Sequence, residues 1–163
     1  MTRLESAIRR LQAQRLCLDW AAGASAGREG LVLELGLGNG RTYDHLRARL
    51  PDREIYVFER QLAAHPDSLP DRDHLLFGDL YATLPGAAET LGGKAILVHA
   101  DIGSGDRETT GALAAFVADQ LPALMRPGAL LVSDQPIPLP ASEVVPLPAG
   151  VPEGRYYIRR YLG

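Results

Sequence analysis

The chain has a single cysteine, Cys17, among its 163 residues. No stretch approaches the roughly 20 consecutive apolar residues that a membrane-spanning helix needs. A lone thiol makes no disulfide within the chain and fits a reducing cytoplasm, and Cys17 is predicted to pack as a small apolar side chain. The first residues carry charges and no apolar segment follows them, so no secretory signal is predicted. These absences favour a cytoplasmic protein that does not insert into a membrane.

The chain also lacks a strong charge of either sign. Its net charge is −3, with 46% hydrophobic and 23% charged residues. This balance gives no general attraction to nucleic acid or to an anionic membrane, and neither partner is predicted. The length suits one sizeable core rather than two. We therefore predict one domain over residues 1–163, with an N-terminal helix at 1–23, a central core at 30–134 and an edge hairpin at 142–162.

Short aliphatic runs alternate with segments of helical periodicity along the central core. The runs predicted as strands are GLVLELG, EIYVFE, HLLFGD, KAILVHAD and ALLVSD. Helices are predicted at 41–50 and 108–125, with little more than a turn at 61–72. The alternation predicts a mostly parallel sheet with helices on both faces. After a proline-rich segment that cannot be helical, the last two runs predict an antiparallel hairpin, which completes a Rossmann-like, doubly wound α/β sheet of seven strands.

Acidic residues stand at or directly after the ends of four predicted strands. They are Glu59, Asp79, Asp101 and Asp134. In an open parallel sheet the ligand lies beyond the carboxyl ends of the strands, so these four side chains are expected at one rim.

Three glycines, Gly36, Gly38 and Gly40, follow the first predicted strand at alternate positions. Glycine at a strand-to-helix turn lets a ligand approach the main chain. The fingerprint of dinucleotide-binding proteins is G-x-G-x-x-G, but Arg41 occupies its sixth position here. The spacing therefore departs from the dinucleotide pattern.

Together with Glu34, these glycines form the stretch ELGLGNG, which resembles the first motif of the class I S-adenosylmethionine-dependent methyltransferases. The resemblance extends along nearly the whole order of predicted elements. It implies that S-adenosyl-L-methionine is the cofactor and that Glu59 holds both ribose hydroxyls. It also implies that Glu34 orients the amino end of the cofactor; the alternative is a buried carboxylate paired with a neighbour. The loop residues implied to wrap the methionine portion are Gly36, Leu37, Gly38, Asn39 and Gly40.

The same resemblance implies that Asp79 accepts a hydrogen bond from the adenine amino group and that Leu80 packs against the ring. Taken singly, each of these positions also suits a turn or a helix cap, because aspartate favours such places. Their order along the chain is what favours a cofactor site.

Asp101 is predicted as the catalytic residue of an in-line methyl transfer, in which it acts as the general base. A second interpretation is a magnesium site, because Asp101 and the pair Asp134-Gln135 resemble the metal ligands of enzymes similar to catechol O-methyltransferase. No metal ligand is assigned on this basis. His99 lies within a strand and is predicted as a hydrogen-bonded core histidine rather than a base.

The acceptor is predicted to be a small molecule. The family resemblance calls for a helix between the fifth strand and the hairpin, which this sequence lacks. We expect the acceptor pocket to form from the N-terminal helix around Asp19 and Trp20, the loop after Asp101 and residues 135–141, with a second subunit of a homo-oligomer completing it. Two alternatives stay open: a nicotinamide-dependent oxidoreductase in which Glu59 binds an NAD ribose, and a non-catalytic cofactor-binding module.

Overall fold

The computed structural model describes residues 1–163 and contains one seven-stranded sheet in the order β3-β2-β1-β4-β5-β7-β6. Strands β1 to β5 pair in parallel, and β7 pairs antiparallel with both β5 and β6. The predicted fold class is confirmed. The elements are α1 (Arg3–Ser25), β1 (Leu31–Leu35), α2 (Arg41–Arg49), β2 (Ile55–Glu59), β3 (Leu75–Phe77), α3 (Leu80–Leu91), β4 (Ala95–Ala100), α4 (Arg107–Gln120), β5 (Met125–Ser133), β6 (Ser142–Val144) and β7 (Tyr157–Tyr161).

Helix α1 begins at a capping box. The Thr2 hydroxyl accepts the Glu5 backbone N–H at 3.1 Å, and the Glu5 carboxylate accepts the Thr2 N–H at 2.6 Å. The helix packs against β4 and β5 through buried side chains that include Cys17 and Leu18. Its first turns are largely exposed, and its buried residues begin at Ala13.

The central strands β1 and β4 are buried along their whole length. This pattern is typical of parallel strands covered by helices on both faces, and it explains their nearly continuous aliphatic sequences. No helix of the chain is both long enough and apolar enough to cross a membrane.

Strand β5 begins at Met125, four residues before the predicted strand. Ala95 pairs with Met125 whereas Leu97 pairs with Leu130, so β5 carries extra residues at this point. Pro127 and Gly128 lie in this irregular stretch. They resemble a turn in sequence but occupy a bulge in the structure. Within residues 61–72, short 3₁₀ turns occur at Pro66–Ser68 and from Arg72, as the two prolines there led us to expect.

The chain between β5 and β6 contains no helix. Ile137 and Leu139 are buried, so this proline-rich segment packs onto the core without a helix.

Candidate functional site

A cavity of about 350 Å³ lies at the carboxyl ends of β1 to β4. Six residues predicted for the site from sequence contribute to its wall: Gly36, Gly38, Glu59, Asp79, Leu80 and Asp101. The other wall residues are Phe58, Arg60, Gly78, Tyr81, Ile102, Gly103, Ser104, Thr109, Thr110 and Leu113. A larger polar cleft, about 860 Å³, opens beside Gly30 and Lys94 at the opposite ends of the strands, and it contains none of the predicted residues.

The glycine loop lies against the end of β4. A Cβ at Gly36 would stand 2.8 Å from the Asp101 carbonyl oxygen, and the φ of Gly36 is +90°, so a larger residue is excluded on both counts. At Gly38, with φ +53°, a Cβ would meet nothing within 4 Å. The backbone of Gly38 therefore borders the cavity with no other group packed where a side chain would stand. Leu37 is buried and Asn39 is exposed, and neither side chain belongs to the cavity wall.

The Glu59 carboxylate holds the glycine loop to the end of β2. Oε2 accepts the backbone N–H groups of Leu37 and Gly38, both at 2.8 Å. Oε1 accepts the N–H of Arg60 at 2.7 Å and that of Gln61 at 3.3 Å. Charge-assisted bonds of this kind are stronger than bonds between neutral groups. Glu59 thus orders the loop and also lines the cavity in which a ribose is expected.

Glu34 lies beneath the loop and is completely buried. Its Oε1 accepts the Thr42 hydroxyl at 3.2 Å and lies 2.6 Å from Nδ1 of His99, while Oε2 has no hydrogen-bond partner. The pairing with His99 matches the alternative in which Glu34 is a paired core carboxylate, and the free Oε2 leaves the predicted contact with the cofactor open. His99 is itself a buried, hydrogen-bonded histidine, as predicted.

Asp101 is half-buried at the rim, where Gln14 of α1 donates to its Oδ2 at 3.3 Å. The same Gln14 amide donates to the Tyr156 hydroxyl at 3.1 Å. Neither Gln14 nor Tyr156 was predicted from sequence. They lie 87 residues before and 55 residues after Asp101, and only the packing of α1 and β7 across the sheet brings the three together.

Helix α1 was expected to approach the acceptor site around Asp19 and Trp20. Instead, Asp19 Oδ1 contacts His45 at 2.8 Å and Arg49 at 2.9 Å, so this part of α1 is fastened to α2. The α1 residue that hydrogen-bonds to Asp101 is Gln14.

Asp134 fixes the start of the loop after β4. Its two oxygens accept the backbone N–H groups of Ile102 and Gly103, each at 2.9 Å, and the Gln135 amide lies 3.4 Å from Oδ2. Burial, together with the nearby Asp101 carboxylate, raises the pKa of Asp134 above its ordinary value, although the two backbone bonds oppose the shift. Asp134 therefore holds two residues of the cavity wall, Ile102 and Gly103, in place.

Asp79 is the N-cap of α3, where it accepts the Ala82 N–H at 3.0 Å, and it also contributes to the cavity wall. Leu80 follows it in the same wall. The position thus combines the helix-cap role that aspartate commonly takes with a place in the predicted adenine site.

The model of the S-adenosyl-L-methionine methyltransferase family matches residues 1–161 of the chain. The chain belongs to that family. The crystal structure of the S-adenosyl-L-methionine methyl transferase from Silicibacter pomeroyi DSS-3 superimposes with a TM-score of 0.92 at 44% identity, over 98% of each chain. The methyl donor of this methyltransferase is S-adenosyl-L-methionine. This finding confirms the resemblance and the enzyme class, and it decides against the nicotinamide-dependent alternative.

More distant structures share only the fold. The antibiotic-resistance methyltransferase Kmr matches with a TM-score of 0.53 at 18% identity, over 86% of this chain and 90% of its own. A chain of the fibrillarin/Nop5p complex matches with a TM-score of 0.55 at 13% identity, over 91% of this chain and 84% of its own. None of the curated proteins compared with the chain matches it.

Proposed function

We propose that this methyltransferase transfers a methyl group to a small molecule whose reacting atom lies beside Asp101. The observation that carries the proposal is the position of Asp101, a half-buried carboxylate at the end of β4 that borders the cavity and is oriented by Gln14. Such a carboxylate is placed to take a proton from a hydroxyl or an amine.

The residues around the cavity fit the methyl donor. The exposed Gly38 backbone suits the close approach of its methionine portion. The Glu59 carboxylate already accepts four backbone N–H bonds, so the two ribose hydroxyls would take the place of some of these bonds when the donor binds. Glu34 would serve the amino end through Oε2, directly or through a bound water. Asp79 and Leu80 would hold the adenine. The donor supplies a methyl group on a positively charged sulfur: the bond from the acceptor atom to the methyl carbon forms as the methyl-sulfur bond breaks, which leaves S-adenosylhomocysteine.

A separate apolar groove would receive the body of the acceptor. It measures about 780 Å³ and is lined by the proline-rich segment and the hairpin, including Ile137, Val145, Leu147 and Ile158. Tyr156 also lines this groove, and its hydroxyl is joined to Asp101 through Gln14. The groove and the cavity at Asp101 share no wall residue, so an acceptor that uses both needs one hydroxyl or amine and a mainly apolar body long enough to connect them.

Magnesium on Asp101 and Asp134 is the second candidate for activating the acceptor. Both Asp134 oxygens already accept backbone N–H bonds, which leaves less of their lone-pair capacity for a cation. A calorimetric titration with magnesium tests this idea, since binding that disappears in Asp134→Asn would favour the metal over direct proton transfer to Asp101.

A pair of measurements tests the proposed role of Asp101. Asp101→Asn should keep the wild-type affinity for S-adenosylhomocysteine but lose turnover of an acceptor found by screening apolar hydroxyl and amine compounds. Asp119→Asn, an exposed position on α4, is the matched control. Full turnover by Asp101→Asn would show that another group, or none, takes the proton.

The homo-oligomer predicted from sequence stays a proposal. Leu4 and Ile8 on the first turns of α1 are 70% and 46% exposed, and they provide an apolar surface for a second copy. Light scattering on the purified protein and on a Leu4→Ser/Ile8→Ser variant measures whether this surface associates.

A further inference from the structure

A continuous hydrogen-bonded chain of side chains runs through the core beneath the cavity. It begins at Glu34 on β1, continues to His99 on β4 at 2.6 Å and reaches the Tyr156 hydroxyl at a further 2.6 Å. Gln14 then joins Tyr156 to Asp101. We propose that His99 and Tyr156 are positioning residues that hold the Glu34 carboxylate ready for the amino group of the methyl donor. The inference rests on the proposed placement of that amino group near Glu34.

The two oxygens of Glu34 are used unequally. Oε1 receives both of its hydrogen bonds, from Thr42 and His99, whereas Oε2 is buried without a partner. A buried carboxylate oxygen without a hydrogen bond costs stability, so its retention needs a reason. Glu34 is not a wall residue of the cavity, so a cationic ammonium group that arrives with the ligand would reach Oε2 through a bound water. The two contacts at Oε1, to Thr42 and His99, fix the orientation of the carboxylate in the structure.

Tyr156 provides a hydrogen-bond partner for the second ring nitrogen of His99, which is buried away from water. Nδ1 faces Glu34, and Nε2 faces the Tyr156 hydroxyl, which itself accepts from Gln14. Tyr156 and His99 are 1% and 0% exposed, so water offers no substitute partner. Each ring nitrogen therefore has one fixed neighbour, and the imidazole is held in the orientation that directs Nδ1 at Glu34.

The negative charges around His99 also favour its hydrogen bond to Glu34. Burial alone lowers the pKa of His99, but the carboxylates of Glu34 on β1, Asp101 after β4 and Asp134 after β5 outweigh it and raise that pKa. The Tyr156 phenol keeps its proton, because burial raises its pKa well above the ordinary value and the same carboxylates add to the shift, although Gln14 opposes it. The raised pKa of His99 thus favours a proton on Nδ1 that is shared with the Glu34 carboxylate, in agreement with the 2.6 Å contact between them.

Two ligands separate positioning from a general structural role. S-adenosylhomocysteine carries the amino-acid portion, and 5′-methylthioadenosine has the same adenosine and thioether without it. Both affinities are measured by calorimetry for the wild type, Tyr156→Phe, His99→Leu and His99→Asn. Tyr161→Phe, a half-exposed tyrosine at the other end of β7, is the matched control.

We expect His99→Leu to weaken S-adenosylhomocysteine roughly tenfold or more and Tyr156→Phe roughly threefold to tenfold, with 5′-methylthioadenosine changed by less than about twofold. His99→Asn, which keeps an N–H near the Nδ1 position, should restore part of the loss. Tyr161→Phe should match the wild type for both ligands.

Equal weakening of both ligands, or no weakening of either, would overturn the inference. If His99→Leu fails to fold, Tyr156→Phe carries the test alone, since it removes one oxygen atom. A wild-type protein that binds the two ligands equally well would instead contradict the placement of the amino group at Glu34, which is a failure of the proposed function.

Discussion

Replacing Glu59 by glutamine tests whether one carboxylate both orders the glycine loop and binds the cofactor. In the structure its two oxygens accept four backbone N–H groups, from Leu37, Gly38, Arg60 and Gln61. A glutamine amide offers one oxygen and one NH₂ group, so in either orientation it turns a donor toward two of these N–H groups. The loop therefore loses at least one pair of charge-assisted bonds even without ligand.

The expected loss in the free energy of unfolding depends on how exposed the broken hydrogen bonds are to water. Hydrogen bonds to a charged group contribute about 1.5 to 3 kcal/mol to stability. Gly38 is exposed, so water partly replaces its lost partner, and we expect the free energy of unfolding to fall by about 1.5 kcal/mol, near the lower limit. Urea denaturation measures this change. Glu143→Gln, which removes only an exposed ion pair with Arg160, should stay within about 0.5 kcal/mol of the wild type.

Ligand affinity provides the second measurement on the same variant. We expect Glu59→Gln to bind S-adenosylhomocysteine roughly tenfold more weakly, because about 1.4 kcal/mol corresponds to a factor of ten. Reduced stability with unchanged affinity would show that Glu59 orders the loop but does not bind the ribose. Wild-type values in both experiments would refute the whole account of this residue.

Three further predictions concern single positions. Gly36→Ala should destabilise the protein by at least about 1 to 3 kcal/mol and abolish ligand-induced stabilisation in a melting experiment, because its Cβ would collide with the Asp101 carbonyl at a positive φ; a stable, ligand-binding variant would contradict the loop geometry. The bond to Asp71 raises the pKa of His74, and the Glu54 contact adds to it against partial burial, so the stability that His74 contributes is complete below pH 6.5 and is lost as pH rises through the raised pKa. His74→Gln should therefore cost more at about pH 5.5 than at about pH 8.5, and an equal cost at both would remove this linkage. Burial raises the pKa of Cys17 to about 11, so a maleimide should label it only after unfolding, and rapid labelling of the native protein would contradict its burial.

The rim of the sheet was predictable because strand ends in a parallel sheet meet on one side. The alternation of aliphatic runs with helical segments predicts Glu59, Asp79 and Asp101 at one rim, and all three line the cavity. The early start of β5 was missed because Pro127 and Gly128 imitate a turn, while a bulge accommodates them in the structure.

Residues that reach the rim from outside the βα units were not predictable in this way. Gln14 projects from a helix that precedes the sheet, and Tyr156 precedes the last strand, so their meeting with Asp101 depends on how α1 and β7 pack. The sequence predicts an N-terminal helix but not how that helix lies along the sheet. This arrangement brings Gln14 to Asp101 and pairs Asp19 with Arg49 on α2.

The connection from β5 to β7 contains half of the chain's 12 prolines, at positions 136, 138, 140, 146, 148 and 152. Each proline restricts the backbone of the unfolded chain, so less conformational freedom remains to be lost when this connection folds. The wall of the apolar groove can thus hold one shape without the internal hydrogen bonds of a helix. A molecule that enters the groove would meet a surface already arranged to receive it, and little of its binding energy would be spent on ordering the protein.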